Sequence, residues 1–371
     1  MNLTGEKLKR EPLIHISKRG ALPFWKSWLI RLGAIAASLL VCAIITYTLT
    51  KINPLSVFAA LVQGAVGTTR KIWTLLQGVA MLLCVALAVT PAFKMRFWNI
   101  GAEGQVLMGG FAAAACMILF GDKLQPTVLL LVVILSSIVA GAIWAVIPAI
   151  FKAFWNTNET LFTLMMNYIV MQIIAFFSHV WANPKGSGQI NTINERTEAG
   201  WLPVIGNYPY LLNILIVAVL TVAVYIYLTH SKHGYEIAVV GESENTAKYI
   251  GINVRKVIIR TMLLSGALCG VAGLLLVAGT DHTIKSDTAG GRGFTAIMVS
   301  WLAKFNPLVM ILTSLLLIFM QQGAGEISSG LGLNKSFSDI LSGVIIFFII
   351  GSEFFIQYQI KFRKHKEVEA K

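Results

Sequence analysis

Long apolar runs separated by short polar segments make up most of the chain. Nine runs have about 20 residues, the length that lets a helix cross the roughly 30 Å of hydrocarbon in a bilayer. A tenth run, 288–303, is weaker because glycines and an arginine interrupt it. The pattern predicts an all-α integral membrane protein with about ten transmembrane helices, some of them broken or short. The nine clear runs are 28–49, 72–91, 104–120, 127–151, 160–181, 209–229, 257–280, 307–322 and 339–358.

Composition and charge agree with a membrane protein, since 56% of the 371 residues are hydrophobic and only 13% are charged. The cytoplasmic ends of transmembrane helices carry an excess of Lys and Arg. If both termini are cytoplasmic, 21 of the 30 Lys and Arg residues fall on inner segments, and this arrangement requires the weak tenth span. We therefore predict ten spans with both termini inside. The net charge of +13 then follows from topology and anionic lipid, and indicates no nucleic-acid partner.

The pattern predicts a single transmembrane domain, 28–360, between a basic N-terminal tail, 1–27, and a basic C-terminal tail, 361–371. The first apolar run lacks the small-residue pattern of a signal-peptide cleavage site, so we expect it to be retained. Two longer polar connections are predicted, an external loop at 182–208 and a cytoplasmic loop at 230–256. Both are too short for an independent hydrophobic core. Function is therefore expected in the membrane or through partners.

Motifs for catalysis are missing from the sequence. It contains no GxxxxGK[ST] phosphate-binding loop and no HExxH zinc motif. The predicted spans 72–91, 127–151, 209–229 and 307–322 contain no charged residue, which disfavours an intramembrane enzyme or a proton relay. We expect no catalytic residue, metal or cofactor, and any energy source must be supplied by another protein.

Polar residues enter the membrane in three places, 98–105, 155–168 and 290–297. Irregular backbone at membrane depth is tolerated only where protein or a water-filled cavity surrounds it, so glycine-interrupted entries indicate binding sites. Each entry also has a structural interpretation. Glu103 suits the first turn of its own helix, and Asn156 with Glu159 resembles a capping box.

Two other features have ordinary structural explanations. Gly266 and Gly270 are typical of a helix-packing face. The aromatic residues near span ends are typical of an interfacial belt.

The cytoplasmic loop contains a short predicted amphipathic helix. Ser243 suits its cap, Glu244 its first turn, and Gly251 its end, while Tyr249 and Ile250 contribute to an apolar patch with Ala247. The segment fits either a solvated loop or an element that docks on a partner.

Four motifs, in order, resemble those of ABC-importer permeases in the branched-chain amino acid and simple-sugar superfamily, in its nucleoside branch. They are "FWNIGAEGQVLMGGFAAA" (97–114), "NETLFTLMMNYI" (158–169), "GYEIAVVGESENTAKYIGI" (234–252) and "GRGFTAIMVSWLAKFNPL" (291–308). The chain departs from the usual pattern before the first motif and within the last one, at Met95, Arg96, Phe97, Trp98, Trp301, Ala303 and Lys304.

The resemblance implies an ABC-importer permease fold in the bacterial plasma membrane. It implies a heterodimeric second permease subunit, cytoplasmic ATP-binding subunits and an extracytoplasmic lipoprotein that delivers nucleoside. Simple sugars or amino acids remain alternative substrates, and an ATPase-independent carrier or a purely structural subunit remain alternative functions.

On this resemblance we assign two groups of functional residues. The first is expected to line or orient the path of a neutral, ribose-bearing solute, and the second to couple the chain to an ATPase. The first group is Trp98, Asn99, Glu103, Gln105, Asn158, Glu159 and Asn167; the second is Glu242, Glu244, Tyr249 and Gly251.

Overall fold

A computed structural model describes residues 14–20, 22–206, 208–330 and 335–362 of the protein. Within these ranges, nine helices are long and apolar enough to cross a membrane. The prediction of an all-α membrane protein is thereby confirmed, whereas the cytoplasmic location of the termini stays a prediction. Most of the two predicted basic tails, 1–27 and 361–371, lies outside the described residues.

The chain divides into two compact units. One comprises the described residues up to Gly64 together with those from Gly323 onward, and the other is Ala65–Gln322. In the first unit, helix α1 (Phe24–Thr50) packs against α13 (Lys335–Gln357).

Three short elements were not predicted from the sequence. Strands β1 (Ile14–Lys18) and β2 (Tyr358–Phe362) pair in antiparallel register, with Ile16 opposite Ile360. Helix α2 (Pro54–Val66) has 13 residues and is too short to cross a bilayer. The strands join segments from opposite ends of the chain, and no local pattern reveals such a pairing.

The remaining helices follow one another along the chain with short connections. They are α3 (Thr69–Lys94), α4 (Ala102–Phe120), α5 (Pro126–Trp155), α6 (Glu159–Val180), α7 (Leu211–His230), α8 (Lys232–Glu242), α9 (Glu244–Tyr249), α10 (Val254–Leu276), α11 (Arg292–Leu302) and α12 (Pro307–Gly330).

Side-chain caps define where several of these helices begin. The Thr68 hydroxyl accepts a hydrogen bond from the Lys71 N–H at the start of α3, and the Asn253 side chain accepts one from the Lys256 N–H at the start of α10. Such caps satisfy N–H groups that have no partner within the helix. They fix the helix boundaries that apolar periodicity alone leaves vague.

Helix α10 forms the centre of the Ala65–Gln322 unit, where it packs against α3, α4 and α5. Glycines allow these helices to approach closely. A Cβ atom on Gly270 would collide with the Ser137 carbonyl oxygen, and one on Gly266 would collide with Gly141. The interpretation of Gly266 and Gly270 as a packing face is therefore confirmed.

The weak tenth run becomes a half-helix. Helix α10 ends in a π-helical turn, Val277–Asp281, and the chain then runs without regular helix to α11. At 1.5 Å per residue, the 11 residues of α11 extend about 16 Å, roughly half the hydrocarbon thickness. The tenth element is thus shorter than the other nine spans, as expected for a fold with broken helices.

The predicted external loop, 182–208, contains no helix among its described residues, but it packs on the rest of the chain. The Asn194 amide donates hydrogen bonds to the carbonyl oxygens of Met117 and Ala199, both at 2.9 Å. The indole of Trp201 stacks on the ring of His282, with the ring centroids 3.7 Å apart. The loop therefore covers the segment that leads from the π-helical turn toward α11.

Candidate functional site

The break between α3 and α4 is held by a buried pair of amides. The Asn99 side-chain oxygen accepts hydrogen bonds from the Gly101 N–H at 3.1 Å and from Gln105 Nε2 at 3.0 Å. In return, Asn99 Nδ2 donates to Gln105 Oε1 at 3.2 Å and to the Ser265 hydroxyl at 3.3 Å. Asn99 and Gln105 are both buried, so their polar atoms replace helical hydrogen bonds that the break removes.

Helix α6 supplies the other partners of the broken backbone. Asn167 accepts a hydrogen bond from the Gly104 N–H at 2.8 Å and donates one to the Ile100 carbonyl at 2.9 Å. The Thr163 hydroxyl accepts a hydrogen bond from the Ile100 N–H at 3.2 Å. Non-helical backbone inside a membrane requires such internal partners, and two polar residues of α6 provide them.

Glu103 caps a helix that is distant in sequence. Its two carboxylate oxygens accept hydrogen bonds of 2.7 Å from the N–H groups of Gly291 and Gly293, at the start of α11. The side chain is 2% exposed, and its negative charge lies at the positive end of the α11 dipole. Glu103 also lies in the first turn of α4, as predicted from the sequence. One carboxylate therefore lies near the N-terminal ends of two helices, α4 and α11.

Trp98 lies at the other end of α11. It is 47% exposed, and its indole packs against the rings of Phe93 and Trp301, with centroid distances of 5.9 and 5.8 Å. Trp301 in turn contacts Phe305 just beyond α11. The segment 97–105 therefore holds the half-helix at both ends, through Glu103 at its start and Trp98 at its finish.

Asn158 and Glu159 lie at the beginning of α6. Asn158 caps the helix by accepting a hydrogen bond from the Leu161 N–H at 3.2 Å, and Glu159 forms a 2.9 Å ion pair with Lys152. The predicted capping box of Asn156 with Glu159 is wrong. Asn156 closes α5 with a φ of 51°, a left-handed conformation typical of a helix end and incompatible with an N-cap.

A cavity of about 480 Å³ lies between α6 and the N-terminal end of α11. The lining is mainly apolar and contains a few polar groups, which is typical of sites that bind small molecules. Of the seven residues expected on the solute path, Glu103 lines this cavity; the other six lie elsewhere. Its lining includes the side chains of Glu103, Met171, Gln172, Ser286, Asp287 and Phe294.

The polar residues of this lining stand outside the four motifs, apart from Glu103, but the sequence around them is distinctive. Gln172 is a single amide within the apolar stretch 169–177, and Ser286 and Asp287 directly precede the glycine motif. Gln172 therefore combines a polar side chain with an expected membrane setting, and Ser286 and Asp287 lie at the edge of the weak span 288–303.

The segment predicted to be cytoplasmic folds into two short helices, α8 and α9. The Ser243 hydroxyl accepts a hydrogen bond from the Thr246 N–H, so the predicted cap is confirmed. Gly251 follows α9 with a φ of +85°, a conformation that favours glycine. Glu242 and Glu244 are exposed, and Tyr249 is 91% exposed.

This segment is joined closely to the transmembrane core. A Cβ atom on Gly241 would collide with the Lys94 carbonyl oxygen at the end of α3. Glu236 of α8 forms a 2.8 Å ion pair with Arg260 of α10. Helix α8 therefore packs directly against α10 and against α3, the helix that precedes the α3–α4 break.

These features define a multi-pass transport protein in which a half-helix interrupts a helical membrane bundle. The chain belongs to the family described as "Branched-chain amino acid transport system / permease component", which matches residues 71–350. It is therefore a permease subunit of an ABC transporter, located in the bacterial plasma membrane, and its family does not carry the ATPase itself.

Several relatives cover most of the chain. The glucose ABC transporter permease protein TsgB13 of Haloferax volcanii is 26% identical over 94% of this chain and 93% of its own length. The nucleoside ABC transporter permease protein NupB of Lactococcus lactis is 28% identical over 80% of this chain and 84% of its own. The guanosine ABC transporter permease protein NupP of Bacillus subtilis is 29% identical over 80% and 85%, respectively. No solved structure matches the chain.

Proposed function

We propose that the chain forms one half of the membrane pathway of an ATP-driven importer and moves nucleosides into the cell by alternating access. The observation that carries this proposal is the half-helix α11, which begins inside the protein core at Glu103 and borders the cavity. Discontinuous helices bring backbone and polar groups beside a solute at membrane depth. In an uninterrupted helix the backbone N–H and C=O groups are already paired within the helix.

Two relatives whose names include nucleoside or guanosine transport support a nucleoside substrate. The cavity lining supports it as well, because Met171 and Phe294 suit the flat face of a base and Gln172 suits hydroxyl groups. The relative named as a glucose permease supports a second candidate, a simple sugar. Amino acids remain the third class to be tested.

Within this proposal, the residues assigned to the path act in two ways. Asn99, Gln105 and Asn167 hold the α3–α4 break in shape, and Glu103 and Trp98 hold α11 beside the cavity. Asn158 and Glu159 fix the start of α6, the helix that forms the opposite wall.

The proposed partners are a second permease subunit, cytoplasmic ATP-binding subunits and an extracytoplasmic substrate-binding lipoprotein. Helices α8 and α9 form the proposed ATPase contact through Glu242, Glu244 and Tyr249, with Gly251 setting the end of α9. Their close packing on α3 and α10 supports this role, because force applied to α8 reaches the broken region through Gly241 and Lys94.

Uptake by the assembled complex tests the proposal. The chain is co-expressed with its proposed partner subunits and reconstituted in liposomes, and uptake of labelled uridine, adenosine, glucose and leucine is measured. We expect nucleoside uptake only with ATP and all partners. Glucose uptake in place of nucleoside uptake would favour the sugar candidate, and ion-driven uptake by the chain alone would favour a secondary carrier.

A further inference from the structure

The cavity beside α11 contains polar side chains that the packing of the protein leaves unexplained. Gln172 lies in the middle of α6, about 20 Å from the start of that helix, where lipid or protein is expected around it. Its side chain is exposed, and among the described residues it has no hydrogen-bond partner. An exposed amide at this depth is costly against hydrocarbon, so it favours a water-filled space.

Asp287 contributes a second polar group from the opposite wall. It precedes α11, its side chain is exposed, and no side-chain partner for it occurs in the described part of the chain. Its backbone carbonyl accepts a hydrogen bond of 2.8 Å from the Gly290 N–H, which fixes the turn that carries the residue. Gln172 and Asp287 thus line one cavity from two different elements.

Glu103 differs from these two residues because both of its carboxylate oxygens already accept hydrogen bonds within the protein. Both accept short hydrogen bonds from the start of α11, so this helix end is not available to a solute anion. The neighbouring Arg292 directs its guanidinium to the carbonyl oxygens of Thr288 and Ala289. The charged residues that line the cavity, Glu103 and Asp287, are both acidic.

We propose that Gln172 and Asp287 are the polar contacts of the transported solute, with Phe294 as the wall for its flat apolar face. Both side chains suit the hydroxyl groups of a neutral sugar or ribose, since Gln172 donates and accepts and Asp287 accepts hydrogen bonds. The acidic lining disfavours phosphorylated solutes. This inference rests on the proposed transport function and adds its solute-contacting residues.

Cysteine accessibility tests the site separately from transport. Cys42, Cys84 and Cys269 are buried, so a Gln172→Cys variant in a Cys116→Ala background presents one exposed thiol among the described residues. Maleimides react with thiolates, which form in water and not in lipid. We expect rapid labelling of Gln172→Cys by a water-soluble maleimide in the complex, and several-fold slower labelling with uridine or adenosine present.

Val219→Cys, at an exposed apolar position of α7, serves as the control and should stay unlabelled. The inference is overturned if Gln172→Cys labels no faster than Val219→Cys, or if uridine, adenosine, glucose and leucine all fail to slow its labelling. Protection by glucose or leucine alone would support the site and overturn the nucleoside substrate. If the complex imports uridine but uridine does not slow the labelling of Gln172→Cys, the proposed site is overturned and the nucleoside substrate is supported.

Transport kinetics provide a second test. Gln172→Leu should raise the KM for nucleoside uptake about tenfold, because it removes a hydrogen-bonding group that contacts a desolvated solute. Asp287→Asn should raise the KM several-fold, because a neutral amide oxygen replaces a charged and therefore stronger hydrogen-bond acceptor. Gln125→Leu and Asp122→Asn change the same residue types at exposed positions in and beside the α4–α5 connection, and should leave KM unaltered. Equal KM values in all four variants would overturn the assignment.

Discussion

A carboxylate oxygen of Glu103 accepts a 2.7 Å hydrogen bond from the N–H of Gly293, a residue 190 positions further along the chain. The contact is close enough that a Cβ atom on Gly293 would collide with the Glu103 backbone. Two of the four motifs that identify the family therefore meet at one point. The glycine is needed for the approach, and the carboxylate satisfies the helix end that the approach creates.

Gly293→Ala should lower the thermal stability of the protein. The added methyl group has no room beside the Glu103 backbone, and overpacking of this kind costs about 1–3 kcal/mol. Thermal unfolding of the purified protein in nanodiscs measures the effect. We expect a lower melting temperature together with reduced uptake, because the start of α11 is displaced from the cavity wall.

Gly343→Ala is the matched control for that experiment. Gly343 lies within α13, and no atom lies within 4 Å of the position of an added Cβ. Alanine there should be neutral or stabilising by up to about 1 kcal/mol. Equal melting temperatures for Gly293→Ala and Gly343→Ala would show that the close contact at Gly293 has no energetic role.

Asn167→Ala should destabilise the α3–α4 break. The substitution leaves the Gly104 N–H and the Ile100 carbonyl without their partner, and each unsatisfied buried group costs about 1–3 kcal/mol. Chemical or thermal unfolding provides the measurement. Asn191→Ala, at an exposed loop position, should have little effect, and similar losses in both variants would argue against the bracing role of Asn167.

Trp98 and Trp301 should be energetically coupled. Their rings lie 5.8 Å apart, and aromatic pairs contribute about 0.5–1.5 kcal/mol beyond burial. A double-mutant cycle with Trp98→Ala, Trp301→Ala and the double variant measures this coupling in unfolding experiments. Strict additivity of the two single effects would show that the half-helix is not held at its C-terminal end by this contact.

Gly251→Val should uncouple ATP hydrolysis from uptake. Gly251 has a φ of +85°, which valine adopts only with strain, so the end of α9 must shift. The ratio of solute imported to ATP hydrolysed should fall while the complex still assembles. Gly186→Val introduces the same strain at a φ of +92° in the loop predicted to be external, and should leave the ratio unchanged.

Tyr249→Ala tests the same contact without backbone strain. The side chain is 91% exposed, so its loss should leave the stability of the isolated chain unaltered and weaken co-purification of the ATP-binding subunits. If Gly251→Val and Tyr249→Ala both co-purify with undiminished amounts of the ATP-binding subunits and keep the ratio of solute imported to ATP hydrolysed, the ATPase contact lies elsewhere.

The positions of the long helices were predictable because apolar runs of about 20 residues have few alternatives to a transmembrane helix. The cap at Ser243 and the packing role of Gly266 and Gly270 were predictable for a similar reason, since each depends on a local pattern. Strands β1 and β2 were not, because their pairing joins distant segments.

The candidate site was predictable only in part. The sequence indicated that Glu103 and the glycine motif matter, but their mutual contact depends on the tertiary fold. Asn99 and Gln105 were expected beside a solute, whereas in the structure each hydrogen-bonds the other. Polar residues in a membrane protein must satisfy broken backbone as well as ligands, and a single sequence does not separate these two demands.

The role of Glu103 is tested most directly by measuring stability and transport in the same Glu103→Ala preparation. If Glu103 braces α11, the melting temperature falls and the maximal uptake rate drops about tenfold or more, while KM stays within about twofold. Glu195→Ala, at an exposed position of the loop predicted to be external, should match the unaltered protein in all three values. An unchanged melting temperature with a strongly raised KM would contradict this account and place Glu103 in direct contact with the solute.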